Sequence, residues 1–142
     1  MKAYTDGACR CSNPGETSCA FAVFNSTGDV VKQFSTYLGP EPHTNNYAEY
    51  QGMLALLSWA HGEGKYNLDI YCDSKLVVEQ VLDRWKVNDP SLASFASICQ
   101  ALLIRGCHAL HHIKGHSGDP GNEYVDNLCN QVLDEEFARR VK

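Results

Sequence analysis

Nowhere in this sequence does an apolar run approach the ~20 residues that a membrane-spanning helix needs, and the first residues lack the apolar core of a secretion signal. The expectation is a protein with no membrane partner that stays in the cytoplasm. No repeat, linker or break in composition divides the chain, and 142 residues is the length of one ordinary domain. Positive charge is scarce: 12 lysines and arginines face 17 acids, a formal net charge of −5. Proteins that coat nucleic acid by bulk charge are usually basic, so the balance argues against that class. A nucleic-acid enzyme stays open, because a metal site needs carboxylates and only one face need be basic. Hydrophobic residues at 44% and charged residues at 20% exclude a disordered chain. Cysteine is not scarce, but the seven present are an odd number and cannot all pair within one chain. Cys72, Cys99 and Cys129 lie in apolar patterns and read as small core residues, which suits a reducing cytosol. Around Cys9, Cys11 and Cys19 a zinc site lacks a second spaced pair, while a local disulfide stays open.

What is present is periodicity. Alternation places strands near Lys2–Cys9, over "CAFAVFN" from Cys19 and over "VVKQFSTYLG", an antiparallel meander turning at "STGD". From Asn46 the period becomes helical, with Tyr50, Met53, Leu54 and Leu57 on one face, and it runs out at Gly62 and Gly64. "LDIYCD" reads as a short buried strand and "SKLVVEQVLDRW" as a helix. Asp89-Pro90 opens another helix that stops at Gly106. "CHALHHIKG" is a fifth strand, and Asp119-Pro120 opens a last helix into "EEFARR". The fold class is therefore α/β, a mixed five-stranded sheet with helices.

The acids then stand out by position. Asp6 closes the first strand, Glu49 sits early in the first long helix, Asp73 ends the fourth strand and Asp126 lies in the last helix. Each alone has an ordinary reading. Asp6-Gly7 opens a turn, Asp73 or Ser74 caps a helix, Glu49 completes a capping box with Asn46, and Asp126 faces solvent. Two apolar strands that both end in an acid argue for more. If those strands are neighbours, their carboxylates meet, and a cation must neutralise them or one must keep its proton. Oxygen ligands alone favour Mg²⁺ or Mn²⁺.

The blocks "YTDGA", "TNNYAEYQGMLALL", "IYCDSKLVVEQV" and "IKGHSGDPGNEYVDNLCNQ" resemble, in order and spacing, the motif blocks of type 1 ribonuclease H. That resemblance implies the ribonuclease H-like fold over residues 1–142 and hydrolysis of the RNA strand of RNA/DNA hybrids, leaving 5′-phosphate and 3′-hydroxyl ends. It implies two divalent ions, Mg²⁺ or a substitute Mn²⁺, on Asp6, Glu49, Asp73 and Asp126, acting in a monomer. His116 falls where the family has a histidine that helps proton transfer or product release. The backbone from Gly7 to Cys9, with Asn13 and Asn45, falls where the family reads 2′-hydroxyls, and Thr44 with Asn13 resembles its DNA-phosphate pocket.

Two departures qualify the match. The loop "CRCSNPG" is one residue longer than the commonest family form, and Lys75 stands where glutamine is frequent. "DRWKVNDPSL" omits the basic protrusion of many members, as in the compact branch, so Trp85 and Lys86, with Arg84, either touch the hybrid or pack as snorkelling side chains. His108, His111 and His112 read as strand-surface residues, since neighbours on a strand face opposite ways. The rival readings are a DNA-cutting nuclease on the same fold, a non-catalytic nucleic-acid-binding module, and a zinc or redox protein.

Overall fold

In the computed structural model, which describes residues 1–141, one five-stranded sheet runs in the order β3-β2-β1-β4-β5. Its antiparallel part is β1 (Lys2–Arg10), β2 (Glu16–Phe24) and β3 (Val30–Tyr37). β4 (Asp69–Cys72) joins the other side of β1 in parallel, and β5 (Ala109–His112) joins β4 in parallel. The helices are α1 (Asn45–Gly62), α2 (Lys75–Val81), α3 (Pro90–Arg105) and α4 (Pro120–Arg140). The expected α/β class is what is seen. Lys142, the end of the expected single domain, lies outside the described residues.

Alternation along the strands sorts the core into two layers. Ala3, Phe21, Val23, Ile70 and Cys72 join Tyr50, Met53, Leu57, Val77 and Leu103 under α1, α2 and α3. Tyr4, Ala20 and Ala22 join Val125 and Cys129 of α4 on the other face. Cys72, Cys99 and Cys129 are buried as expected. All seven thiols are free, so no local disulfide forms. Cys19 is buried in β2 opposite Gly7, Cys11 is exposed, and the Cys9 thiol donates to the Ser12 carbonyl at 2.9 Å.

Several boundaries differ from the periodicity, each for a local reason. β2 begins at Glu16, because Arg10 and Glu16 already pair across the hairpin. α2 stops at Val81 rather than running through Trp85. There Asp83 takes a left-handed φ of 60°, and the Glu79 carbonyl accepts from both Arg84 N (2.8 Å) and Trp85 N (3.2 Å), which folds the chain back. Thr44 caps α1, its Oγ1 accepting from Tyr47 N at 3.1 Å, so the Asn46–Glu49 capping box does not form. His108 precedes β5 rather than lying on its surface. Its Nδ1 accepts from Leu68 N at 3.0 Å, and burial holds the imidazole below its ordinary range.

Candidate active site

β1 and β4 pair side by side only as far as Thr5 and Cys72. Beyond that pair β4 ends while β1 runs on beside β2 to Arg10, so Asp6 lies within β1 rather than closing it, and a crevice opens where the sheet changes from antiparallel to parallel. Asp6 is the next residue on β1, and Asp73 is the next after β4. Ser74 caps α2 by accepting from Val77 N at 3.3 Å, which leaves Asp73 free of that duty.

Glu49 arrives from α1, and it reaches the crevice because α1 lies directly on β1. A Cβ on Gly7 would stand 2.4 Å from the Ala48 carbonyl carbon and from Glu49 N, and one on Gly52 would stand 2.7 Å from the Asp6 carbonyl oxygen. Only glycine permits backbones this close. The space beside the Gly7 Cα is thus filled by α1.

Carboxylate oxygens of Asp6, Glu49 and Asp73 lie within 4.8 Å of one another. Asp6 and Glu49 are each 4% exposed. Asp6 Oδ1 accepts from Gly7 N at 2.9 Å, while Glu49 Oε1 is buried with no partner. Burial first, then the charge of Asp73, pushes the Asp6 carboxyl up to about 7. Burial, then the charges of Asp6 and Asp73, holds Glu49 well above the usual carboxylate range. None of the ion pairs among the described residues reaches these three acids. Crowded, buried, unpaired carboxylates are costly unless a cation joins them. An orphaned Glu49 oxygen in an all-oxygen donor set fits a hard divalent ion.

Asp126 on α4 stands outside this group, close enough for its charge to add to the rise at Asp6. His116 is exposed, at a φ of 56°. Its loop touches the site through Gly115, where a Cβ would lie 3.1 Å from Asp73 Oδ2. His112 is the neighbour that sequence reasoning missed, its Nε2 lying 3.3 Å from the Asp73 carbonyl oxygen. The signal was the parallel register of Cys72 with His112, which strand alternation alone does not reveal. His111 faces the other way, stacked on Tyr71 at 4.9 Å and 3.3 Å from Asp69 Oδ1.

Around the acids runs an exposed rim. Asn13 Oδ1 accepts from Asn45 N at 3.0 Å and so joins the β1–β2 loop to the start of α1, beside Thr44. On the α2 side, Lys75 Nζ lies 5.9 Å from the centre of the Trp85 ring. Trp85 is 45% exposed and Lys86 is exposed, so this cluster is not core packing. A 620 Å³ cavity lined by Lys2, Tyr4, Phe24, Asp69 and Tyr124 lies toward the start of β1 and includes none of Asp6, Glu49, Asp73 and Asp126. The acids sit beneath a surface instead, an arrangement suited to a long ligand.

A family model described as RNase H matches residues 1–134. Ribonuclease H of Polaromonas sp. is 32% identical, over 96% of this chain and 90% of that protein. Ribonuclease HI of Halobacterium salinarum is 31% identical over 95% of this chain, which spans 65% of that relative's length. A solved structure of LC11-RNase H1 in complex with an RNA/DNA hybrid has a TM-score of 0.82 at 25% identity, covering 96% of this chain and 98% of that one.

Proposed function

This chain belongs to the RNase H family, and from that premise we propose a type 1 ribonuclease H of the compact form, an endoribonuclease that hydrolyses the RNA strand of RNA/DNA hybrids and leaves 5′-phosphate and 3′-hydroxyl ends. The observation that carries this reading is the meeting of Asp6, Glu49 and Asp73 within 4.8 Å, the first two buried, the third half-buried, and none with a basic partner among the described residues.

Asp6, Glu49, Asp73 and Asp126 are assigned to hold two divalent ions, Mg²⁺ with Mn²⁺ as a substitute. Such ions, when bound, stabilise the negative charge that gathers on a scissile phosphate. The remaining work belongs to the chain itself. His116, on the exposed loop beside Asp73, moves a proton at the edge of the site or helps product leave. The Gly7–Cys9 backbone, Asn13 and Asn45 meet the 2′-hydroxyls that tell RNA from DNA. Because Asn13 Oδ1 is already taken by Asn45 N, the Asn13 amide nitrogen is the group left to offer. Thr44 and Asn13 hold a DNA-strand phosphate. Lys75, Trp85 and Lys86 form a cation–aromatic patch suited to backbone and stacking contacts.

All four acids come from one chain, which supports action as a monomer, and residues 1–142 are read as a single catalytic domain. No described helix is long and apolar enough to cross a membrane, and seven free thiols suit a cytoplasmic setting. The test is an assay of labelled hybrid, duplex RNA and duplex DNA, each with and without Mg²⁺. The expected result is cleavage of the RNA strand of the hybrid only, and only with Mg²⁺. Preferential cutting of DNA, or binding without cleavage, overturns the reading in favour of one of its rivals.

A further inference from the structure

Gln80 is a polar side chain in a core position. It is 5% exposed, and Val77, Val78 and Val81 around it on α2 are buried. Its amide is engaged at both ends: Oε1 accepts from the Tyr50 hydroxyl at 2.7 Å, and Nε2 donates to the Lys86 carbonyl at 3.3 Å. Its backbone carbonyl accepts from Gln100 Nε2 at 2.9 Å. Tyr50 follows Glu49 on α1 and is fully buried. One residue therefore ties the helix that carries Glu49 to α3 and to the turn that ends α2. Among the described residues, the Gln80–Lys86 bond is the one side-chain hydrogen bond that reaches residues 85–88.

We infer that Gln80 is a positioning residue for substrate grip: beyond the point where the Glu79 carbonyl turns the chain back, it staples Lys86, so that Trp85 stays against Lys75 and, with Lys86, presents an ordered cation–aromatic surface to a nucleic-acid backbone. This rests on the proposed cleavage of hybrids. A loose turn has to be ordered by the substrate at each encounter, which weakens binding and leaves the chemistry alone.

Gln80→Met keeps the volume and removes the amide, whereas Tyr50→Phe removes only the bond from α1 and controls for an effect through Glu49. In steady-state hybrid cleavage with Mg²⁺, Gln80→Met should raise KM roughly fivefold, the scale of a weakened stacking or phosphate contact, with kcat within about twofold. Tyr50→Phe should leave KM near the wild-type value. In a Trp85→Ala/Lys86→Ala background Gln80→Met should add nothing to KM, because its effect runs through those side chains. Amide hydrogen exchange over residues 82–88 should quicken in Gln80→Met with no substrate present.

A fall in kcat as large as the rise in KM, full additivity in the double-variant background, or unchanged exchange overturns the role. A wild-type protein that cuts no hybrid sinks the functional reading alone, since exchange still reports the staple. Should Gln80→Met not fold, Gln80→Glu keeps an acceptor for Tyr50 and loses the donor to Lys86, and it carries the same expectations.

Discussion

The acidic nest and the rim around it are built by opposite rules. Asp6 and Glu49 are placed by backbone lying on backbone, through Gly7 and Gly52, and both are almost wholly buried. Asn13, Lys75 and Trp85 are exposed, and their side chains have few ties: Asn13 Oδ1 accepts from Asn45 N at 3.0 Å and from the Cys9 thiol at 4.0 Å, and Lys75 and Trp85 meet each other. Catalytic geometry tolerates little displacement, so its ligands belong where neighbours over-determine them. Grip on a long, repetitive rod tolerates adjustment and can stay at the surface. The nest carries a stability cost, since it gathers like charges out of water; the rim carries almost none.

Breaking the nest should have the largest effect. Asp6→Asn or Asp73→Asn removes a charge needed to hold metal and should cut Mg²⁺-dependent cleavage by roughly a thousandfold or more, while circular dichroism stays native. Full activity in either variant takes that residue out of the site. His116→Ala, at the edge of the nest, should slow turnover by roughly a hundredfold without abolishing it. Gly7→Ala attacks the construction of the nest rather than its chemistry. The new methyl meets backbone atoms of α1, which cannot rotate aside. Stability should fall by about 2–3 kcal/mol and cleavage by roughly tenfold or more as Glu49 is pushed from Asp6. Denaturation and turnover measured on one sample check both, and wild-type values would mean that α1 shifts freely.

The comparison sharpens with pH. The folded pKa of Asp6 is raised from 3.8 to about 7, and that of Glu49 is raised as well. In the metal-free protein the folded state therefore binds more protons than the unfolded state between those values, so these groups make stability fall as pH rises toward 7. The thermal midpoint in EDTA should be lower at pH 8 than at pH 5. Mg²⁺ favours the ionised carboxylates and should raise the midpoint more at pH 8. Asp6→Asn should flatten the EDTA profile and, at pH 8, raise the midpoint by about 3 °C or more. A wild-type profile in EDTA that climbs over this window contradicts the charge crowding.

How much of this was legible beforehand follows from how local each feature is. The caps at Asp89 and Asp119 were readable because an acid followed by proline needs no tertiary partner, and both accept the expected backbone N–H groups. The two faces of β1 follow from alternation, with Ala3 in one layer and Tyr4 in the other. The meeting of Asp6 with Asp73 was readable from two apolar strands that each run into an acid, if those strands are neighbours, whereas the addition of Glu49 was readable only through the order of four motif blocks. The rest needed the third dimension. Glycine at positions 7 and 52 looks like a turn residue and a helix defect until α1 is laid on β1. "VVEQVLDRW" keeps a helical pattern past Val81, and its stop goes with the left-handed Asp83 and the bonds that Arg84 N and Trp85 N make to the Glu79 carbonyl. His112 is exposed on β5, as strand alternation led one to expect, but its link to Asp73 depends on strand register.

The smallest effect should come from the rim at Asn13. Its bond to Asn45 N at 3.0 Å latches the β1–β2 loop to α1, and an exposed hydrogen bond of this kind is worth about 1 kcal/mol at most. Asn13→Ala should change stability by less than that and raise the KM for hybrid roughly three- to fivefold, with kcat unchanged. Asn13→Asp separates the latch from direct contact, because it keeps the acceptor for Asn45 N, loses the amide donor and adds a negative charge. Wild-type KM in Asn13→Asp makes the residue a latch alone. A KM at or above that of Asn13→Ala means that the side chain itself faces the nucleic acid, since the latch survives while the donor is gone and a negative charge stands in its place. A kcat loss in both variants contradicts the division drawn above, because it would move Asn13 from the adjustable rim into the nest.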